Sequence, residues 1–282
     1  MAGTLYLCAT PIGNLGDISE RCLEILRTVD LIAAEDTRRT LQLLNHFNIS
    51  RPLTSYHEHN KREKGEYIIK LLLEGKNIAQ VSDAGTPAIS DPGEDLVRLC
   101  AENNIAVTSV PGPVAAVTAL ILSGLPTSRY AFEGFLSVNK RHRNEHLESI
   151  KNDTHTLIFY EAPHKLKNTL ADMLKYFGSE RRIAIARELT KLHEEILRFT
   201  VGEAVEYYGE TNPRGEYVLV VEGAPEAEST DGGDIWWSGL TIKEHVKAYI
   251  KDDSKESVKA AIKKTAEDRG LPRREVYGEY HK

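Results

Sequence analysis

The sequence predicts an α/β protein with two α/β domains followed by a small helical appendage. Up to about residue 124, short apolar runs alternate with helical patterns, the order typical of a mostly parallel, doubly wound sheet. Beyond residue 125, some predicted strands follow one another without an intervening helix, which favours a mixed sheet. The last part of the chain shows only helical spacing of apolar residues. We therefore expect domains at 1–124 and 125–223, a linker at 224–239 and a helical tail at 240–282.

In the first domain, five short apolar runs predict buried strands. They lie at 4–9, 31–34, 53–56, 77–81 and 105–110. The segments between them have helical spacing and predict helices at 18–27, 37–47, 63–73 and 94–103, with a small apolar helix at 114–122. Glu35 and Asp36 follow the second strand, where an acid could bind a ribose hydroxyl. The alternative for Asp36 is that it caps the helix at 37–47.

In the second domain, five further runs predict strands. They lie at 130–135, 156–160, 182–187, 195–201 and 216–221. Helices are expected at 164–177 and 202–208, whereas the polar segment 137–145 is interpreted as a mobile basic loop. Three short helical patterns, at 241–250, 254–268 and 272–280, suit a small helix-turn-helix. Its role is left open between a capping appendage and a nucleic-acid reader.

Composition limits the class of protein. The net charge of −6 is no sign of general nucleic-acid binding, although Lys140–Arg143 forms a local basic cluster. The three cysteines include no close pair, which favours reduced thiols and a cytoplasmic protein. No apolar run is long enough to cross a bilayer, and the first residues lack the basic and apolar regions of a signal peptide.

The stretch Val81–Gly93 is the candidate active site. It follows a predicted buried strand, is rich in glycine and proline, and leads into a helix. Open α/β sheets bind ligands in loops at the carboxyl ends of their strands, and ordinary connections of this kind are only a few residues long. Its carboxylates, Asp83 and Asp91, do not by themselves specify a reaction.

Two other motifs carry weaker signals. Thr10–Asp17 connects a strand to a helix through Gly13 and Gly16, the outline of a phosphate cradle, but it does not fill the Rossmann or P-loop pattern. His57 and His59 stand one residue apart, with no further metal ligand at a recognisable spacing. We therefore expect no metal site and interpret these imidazoles as hydrogen-bonding groups beside a cleft.

Seven blocks in register resemble one family. They are Thr10–Asp17, Glu35–Arg38, Ser82–Gly93, Val110–Pro113, Phe159–His164, Ala186–Thr190 and Pro213–Tyr217. Together they cover the chain to about residue 223, and as a set they are specific although no single block is decisive. The sequence is similar to the tetrapyrrole-methylase-like (class III) S-adenosylmethionine (SAM)-dependent methyltransferases, and among them to those that modify small-subunit ribosomal RNA.

This resemblance implies a kidney-shaped pair of α/β domains of the tetrapyrrole-methylase type, with SAM folded into the cleft. It also implies a homodimer that methylates the ribose 2′-hydroxyl of a cytidine in the decoding region of 16S rRNA in the 30S subunit. The residues that would bind the cofactor SAM are Pro11, Gly13, Asp83, Ala84, Gly85, Thr86, Pro87, Ile89, Ser90, Pro113, Ala115, Ala116, Tyr160, Glu161, Ala162, Glu188, Leu189, Pro213, Arg214 and Gly215.

A ribose hydroxyl is a poor nucleophile and benefits from a general base within hydrogen-bonding reach. The candidates are Asp36, His57, Glu58, Asp83 and Glu161, and the sequence does not choose among them. The basic residues expected to bind RNA phosphates are Arg38, Arg39, Lys140, Arg141, Arg143 and Lys165. Two other functions stay open: methylation of a small precursor such as a corrinoid, or of a protein side chain, by the same fold; and non-catalytic RNA binding.

Overall fold

The computed structural model of the protein describes residues 1–225, 236–250 and 255–282, with the side chains of 255 and 256 excepted. The chain forms two compact units, Met1–Ala224 and Pro225–Lys282. Most of the linker expected at 224–239 lies outside the described residues, as does the first residue of the helix expected at 254–268.

The first sheet consists of five parallel strands. They are β1 (Thr4–Cys8), β2 (Leu31–Ala34), β3 (Leu53–Ser55), β4 (Ile78–Val81) and β5 (Ala106–Val110), in the spatial order β3-β2-β4-β1-β5. Leu5 of β1 is in register with Ile78 on one side and Val107 on the other. The predicted parallel, doubly wound sheet is thus confirmed. Because β1 and β4 are neighbours, the loops that follow them emerge side by side at the carboxyl edge.

Four helices cover the two faces of this sheet. They are α1 (Glu20–Thr28), α2 (Thr37–His46), α3 (Lys61–Leu73) and α4 (Gly93–Glu102). Cys22 and Leu26 of α1 pack with Ile32, whereas Ile68 of α3 packs with Ala33 on the opposite face. Successive residues of β2 therefore serve both faces, which explains why this strand is apolar throughout.

The next helix, α5 (Ala115–Ser123), contains no charged residue and packs against the second sheet. Ala116 and Leu120 contact the layer formed by Ile158, Ala184 and Val220. A segment from the first half of the chain thus covers one face of the second sheet. The division of residues 1–223 into two domains at residue 124 stays a prediction.

The second sheet is mixed, as predicted. Its strands are β6 (Tyr130–Phe135), β7 (Thr156–Glu161), β8 (Arg182–Arg187), β9 (Glu195–Thr200) and β10 (Tyr217–Val221), in the order β6-β7-β10-β8-β9. Only β6 and β7 pair in parallel. The face opposite α5 is covered by α6 (Lys140–Ile150), α7 (Pro163–Phe177) and α8 (Val201–Glu210).

The prediction of a mobile loop at 137–145 was wrong, because Lys140–Ile150 is the helix α6. The Asn139 side chain caps this helix by accepting hydrogen bonds from the Arg141 and His142 N–H groups. Leu147 is fully buried in the core of the second half. A helix that buries so few apolar residues has no clear hydrophobic period. The sequence pattern therefore did not indicate a helix, and the many charged residues favoured a loop.

The described residues of the tail unit form three helices, as predicted: α9 (Ile242–Tyr249), α10 (Lys255–Arg269) and α11 (Arg273–His281). Its small core includes Val246, Ile262 and Val276. His245 is fully buried and accepts a hydrogen bond from Arg269 Nε at 3.1 Å. Within the part of the chain that the structure describes, no helix is long and apolar enough to cross a membrane.

Arg143 holds α6 to the rest of the second half. Its side chain is 14% exposed, its Nε donates to Asp172 Oδ2 at 2.7 Å, and its Nη1 donates to the Ser137 carbonyl at 3.0 Å. These bonds hold Nε and Nη1 within the protein, which favours a structural role for Arg143 over the expected binding of RNA phosphate. Arg141, by contrast, is 83% exposed, and its only ion pair within the described part of the chain is with Glu145 of its own helix.

We predict that Arg143→Ala lowers the free energy of unfolding by about 3 kcal/mol, because it leaves the largely buried Asp172 carboxylate without its partner. Chemical denaturation checks this value. The matched variant Arg141→Ala should unfold like the wild type, because an exposed ion pair within one helix adds little. Equal stability of both variants would contradict the structural role of Arg143.

Candidate functional site

The loops that follow β1 and β4 are bonded to each other. Thr10 N donates to the Gly85 carbonyl at 2.9 Å, and Gly85 N donates to the Thr10 carbonyl at 3.1 Å. Gly85 has φ +85°, and a Cβ there would lie 3.2 Å from Ile12, so the position requires glycine. Thr86 Oγ1 donates to the Pro113 carbonyl at 3.0 Å. The ends of β1, β4 and β5 are thereby joined into one surface.

The loop after β4 is held in an uncommon conformation by Asp91. Ala88 and Ser90 have φ values of 69° and 60°, where residues other than glycine are rare. The Asp91 carboxylate accepts from Ala88 N at 3.0 Å and from Gly93 N at 2.7 Å. Burial raises the pKa of Asp91. This carboxylate therefore shapes the loop rather than facing a ligand.

Elements of the second sheet meet these loops within the Met1–Ala224 unit. The Tyr160 hydroxyl accepts a hydrogen bond from Ala116 N at 3.2 Å, at the start of α5. Thr190 Oγ1 accepts from Asn14 N at 3.1 Å. Gly13 lies so close to this loop that a Cβ would be 2.7 Å from Thr190 Oγ1. Both halves of the unit therefore contribute to one surface.

The residues that the resemblance assigned to SAM fall into two neighbouring groups. The first belongs to the joined loops after β1, β4 and β5 and to Tyr160 beside them: Pro11, Asp83, Ala84, Gly85, Thr86, Pro87, Ile89, Ser90, Pro113, Ala115, Ala116 and Tyr160. The second lies where the β8–β9 loop meets Gly13 and the 213–215 turn: Gly13, Glu188, Leu189, Pro213, Arg214 and Gly215. Glu188 links that turn by accepting from Glu216 N at 2.9 Å.

The Glu161 side chain does not face either group, and cofactor binding by Ala162, which follows β7 directly, stays a prediction. Tyr160 and Glu161 are successive residues of β7, so their side chains point to opposite faces of the sheet. Glu161 is buried on the α7 side, where it accepts from Thr169 Oγ1 at 2.5 Å and from Ala162 N at 2.8 Å. These bonds occupy the Glu161 carboxylate away from the joined loops, which argues against Glu161 as the general base and against a cofactor contact through its side chain.

Among the other base candidates, Asp36 caps α2, which confirms the capping interpretation. Its carboxylate accepts from Arg38 N at 2.8 Å and pairs with the Arg38 guanidinium at 2.9 Å. The hydrogen bonds from the Arg38 side chain and backbone lower the pKa of Asp36 to about 2, which makes it a weak base. Glu58 is exposed and pairs with Lys61. His57 Nδ1 is buried without a hydrogen-bond partner among the described residues.

Of the five base candidates, Asp83 is the one among the described residues that line a cavity between the loop after β1 and α2. Its Oδ1 accepts from Asp36 N at 2.9 Å, and its Oδ2 lies 3.2 Å from Arg39 Nη1. The cavity has a volume of about 380 Å³. Its lining residues are Thr10, Pro11, Gly13, Leu15, Arg39, Thr40, Gln42, Leu43, His46, Ser82 and Asp83.

Of the remaining basic candidates for RNA phosphates, Arg38, Arg39, Lys140 and Arg141 are exposed, and Lys165 is half-buried. No cluster of three or more His, Cys, Asp or Glu side chains suited to a metal ion occurs in residues 1–225, 236–250 and 255–282.

One residue near these loops, Phe135, was missed from the sequence. Phe135 is exposed, and its ring centroid lies 5.5 Å from that of Tyr160. The pairing of β6 with β7 shifts register between Phe132 and Gly134, just before Phe135. Apart from Gly134, nothing in the sequence indicates this shift. Glu35, one of the two acids that the sequence places after the second strand, follows β2 directly. Burial raises the pKa of Glu35, and the nearby carboxylates of Asp83 and Asp91 raise it further.

This pKa predicts a pH-dependent effect of Glu35→Gln on stability. A carboxyl whose pKa is raised on folding stabilises the protein below its unfolded pKa, and that contribution is lost as pH rises through the folded pKa. At pH 7 the charged form therefore opposes folding. We expect Glu35→Gln to raise Tm by about 1–2 °C at pH 7, a small effect because the carboxyl is only half-buried.

At pH 4 the same substitution should give no gain in Tm, because the wild-type carboxyl is then largely protonated. Thermal unfolding followed by circular dichroism at both pH values measures this difference. A gain at pH 4 that equals the gain at pH 7 would show that the substitution acts through packing rather than charge.

Comparison with known proteins identifies the family. Residues 4–205 match the family Tetrapyrrole (Corrin/Porphyrin) Methylases. The chain is 52% identical over 279 residues to ribosomal RNA small subunit methyltransferase I of Halalkalibacterium halodurans, covering 99% of this chain and 95% of that one. It is 49% identical over 279 residues to the protein of the same name from Bacillus subtilis, covering 99% and 94%.

A solved structure shares the fold. It is uroporphyrin-III C-methyl transferase from Thermus thermophilus complexed with S-adenyl homocysteine, with a TM-score of 0.55 and 15% identity. The match covers 78% of this chain and 97% of that one. The chain therefore belongs to the tetrapyrrole (corrin/porphyrin) methylase family and, within it, to the ribosomal RNA small subunit methyltransferase I enzymes.

Proposed function

We propose that the protein transfers a methyl group from SAM to the ribose 2′-hydroxyl of a cytidine in the decoding region of 16S rRNA, with the 30S subunit as substrate. The observation that carries this proposal is the high identity, over nearly the whole chain, to relatives named ribosomal RNA small subunit methyltransferase I. A small precursor or a protein side chain is less favoured, because relatives with such names share only the fold at low identity. Non-catalytic RNA binding is less favoured because the named relatives are enzymes.

The surface formed by the joined loops has the chemistry that SAM requires. SAM, when bound, supplies a methyl group activated by a positively charged sulfonium, which needs polar backbone groups and a nearby carboxylate rather than a metal. The turn at 84–90 offers backbone groups, Asp83 offers the carboxylate, and Ile89 and Phe135 offer exposed apolar surface. The S-adenyl homocysteine complex of the fold relative supports the same ligand class. We propose that SAM binds along the two groups of residues described above and beside Ala162, without the Glu161 side chain.

Methyl transfer of this kind depends mainly on positioning, which supplies up to roughly 7–11 kcal/mol. Asp83 is the carboxylate best placed to orient the 2′-hydroxyl and accept its proton, because it faces the cavity and the other candidates do not. The Asp36 N–H and the Arg39 guanidinium fix its two oxygens. The exposed Arg38, Lys140 and Arg141 would bind RNA phosphates and make substrate binding depend on salt.

The test is incubation with labelled SAM and 30S subunits that lack the modification, followed by mapping of the methylated nucleotide. We expect one labelled cytidine in the decoding region. Asp83→Asn should lower kcat about 100-fold or more, because it removes the proton acceptor. The matched variant Asp36→Ala removes a cap of α2 and should keep kcat near that of the wild type while lowering stability. Label in protein, in a small molecule or on a base would contradict the proposal.

We also propose a homodimer in the cytoplasm. The outer face of α5 exposes Val117 and Ile121, the latter 67% exposed, on a helix without charges. The neighbouring β5 is an edge strand with mostly exposed residues. Exposed apolar helices and unpaired strand edges are typical of surfaces that a second chain covers.

We expect the wild type to have the mass of a dimer by light scattering, and Ile121→Glu to have the mass of a monomer, because a buried unpaired charge would disrupt the interface. The variant Leu41→Glu, at another exposed leucine, is the control and should remain dimeric. A monomeric wild type would contradict the proposal, and a dimeric Ile121→Glu would place the interface elsewhere.

A further inference from the structure

The cavity beside Asp83 is open between the loop after β1 and α2. Thr10, Thr40 and Ser82 belong to its lining and are themselves buried, so they form its inner end. Pro11 and Leu15 contribute apolar surface from the loop, and Leu43 contributes apolar surface from the helix. At about 380 Å³, the cavity is at the small end of the range for ligand pockets.

Three polar side chains on α2 line the same cavity: Arg39, Gln42 and His46. Their spacing of three and four residues places them on one face of the helix. Arg39 forms an ion pair with Asp83 through one nitrogen, which leaves further N–H donors. The Gln42 and His46 side chains make no hydrogen bond or ion pair with any residue that the structure describes. Apolar walls with a few uncommitted polar groups are typical of a site that recognises a ligand.

We propose that this cavity receives the base of the target nucleoside, turned out of the RNA, and that Arg39 distinguishes cytosine from uracil. The inference rests on the proposed function and deepens it. Enzymes that do chemistry on a base extrude its nucleotide and read the Watson–Crick edge, and the same movement would bring a ribose hydroxyl to a bound methyl donor. Cytosine presents two adjacent acceptors, O2 and N3, whereas uracil has an N–H at position 3. Arg39 carries donors only, so it matches cytosine and opposes uracil.

The position of Asp83 supports the same assignment. Asp83 lines the cavity, as do Pro11 and Gly13, and all three are among the residues proposed to hold SAM. The cavity therefore adjoins the methyl donor, and a sugar attached to a base in the cavity would lie between the two. The Gln42 amide has donors and an acceptor and can form hydrogen bonds with either base. It therefore contributes to affinity for the base but not to discrimination between cytosine and uracil.

The first experiment fills the cavity. Leu43→Trp puts a large ring into the space, and Leu41→Trp puts the same ring on an exposed position of the same helix that does not line it. Transfer to unmodified 30S subunits and SAM affinity by calorimetry are measured for both. We expect Leu43→Trp to lose about 100-fold in kcat/KM for 30S, as the lost base contacts imply, while its Kd for SAM and its Tm stay close to those of Leu41→Trp.

Normal transfer by Leu43→Trp would overturn the proposal, and so would a loss of SAM binding by a folded Leu43→Trp, which would assign the cavity to the methyl donor. The proposed function is tested separately, by whether the wild-type enzyme methylates a cytidine in 30S subunits. That result does not depend on whether the base enters this cavity.

The second experiment tests the choice of base. Subunits reconstituted with cytidine or uridine at the target position are compared by their ratio of kcat/KM. We expect Arg39→Gln to lower the preference for cytidine about tenfold, because an amide can satisfy either base. The ratio cancels any general loss caused by the missing ion pair with Asp83. Arg38→Gln, at the neighbouring exposed position, should keep the wild-type ratio. An unchanged ratio in Arg39→Gln would overturn the role of Arg39.

Discussion

The pair of backbone hydrogen bonds between Thr10 and Gly85 is the constraint on which the site depends. It exists because β1 and β4 are neighbours in the sheet although about seventy residues of chain separate them. Once these loops are joined, the turn at Pro113 is added through Thr86, and Tyr160 is added through the start of α5. Each further contact thus uses a position that the previous one has fixed. A ligand at this surface meets groups that are already in place, which reduces the entropy lost on binding.

Acidic groups are concentrated at the same edge of the sheet, and the structure gives each a different task. Asp36 caps a helix, Asp91 holds a loop, Glu35 is half-buried with a raised pKa, and Asp83 faces the cavity. Arg39 is the cation that pairs with Asp83 there. The difference in role follows from the backbone N–H groups that each carboxylate accepts from, rather than from its place in the sequence.

Much of the fold was predictable because buried strands such as Leu31–Ala34 are apolar on both faces and the helices around them are amphipathic. The helix α6 was not, since its core contact depends on very few apolar residues and its charges are satisfied by partners distant in sequence, such as Asp172 for Arg143. The location of the site at the strand ends was predictable from the glycine- and proline-rich loops. The assignment of single side chains was not, because adjacent residues such as Tyr160 and Glu161 face opposite sides of a sheet whose partners the sequence does not reveal.

The contribution of α5 to the second sheet has a consequence for biosynthesis. During translation this uncharged helix leaves the ribosome before any strand of the sheet that it covers. The apolar residues of α5 therefore remain exposed until β7, β8 and β10 have been synthesised. The last of these, β10, is the central strand of that sheet, so the nascent chain cannot complete this layer until residue 221 has emerged. The two halves of the Met1–Ala224 unit are therefore interdependent in folding, and the earlier half carries part of the later half's interior.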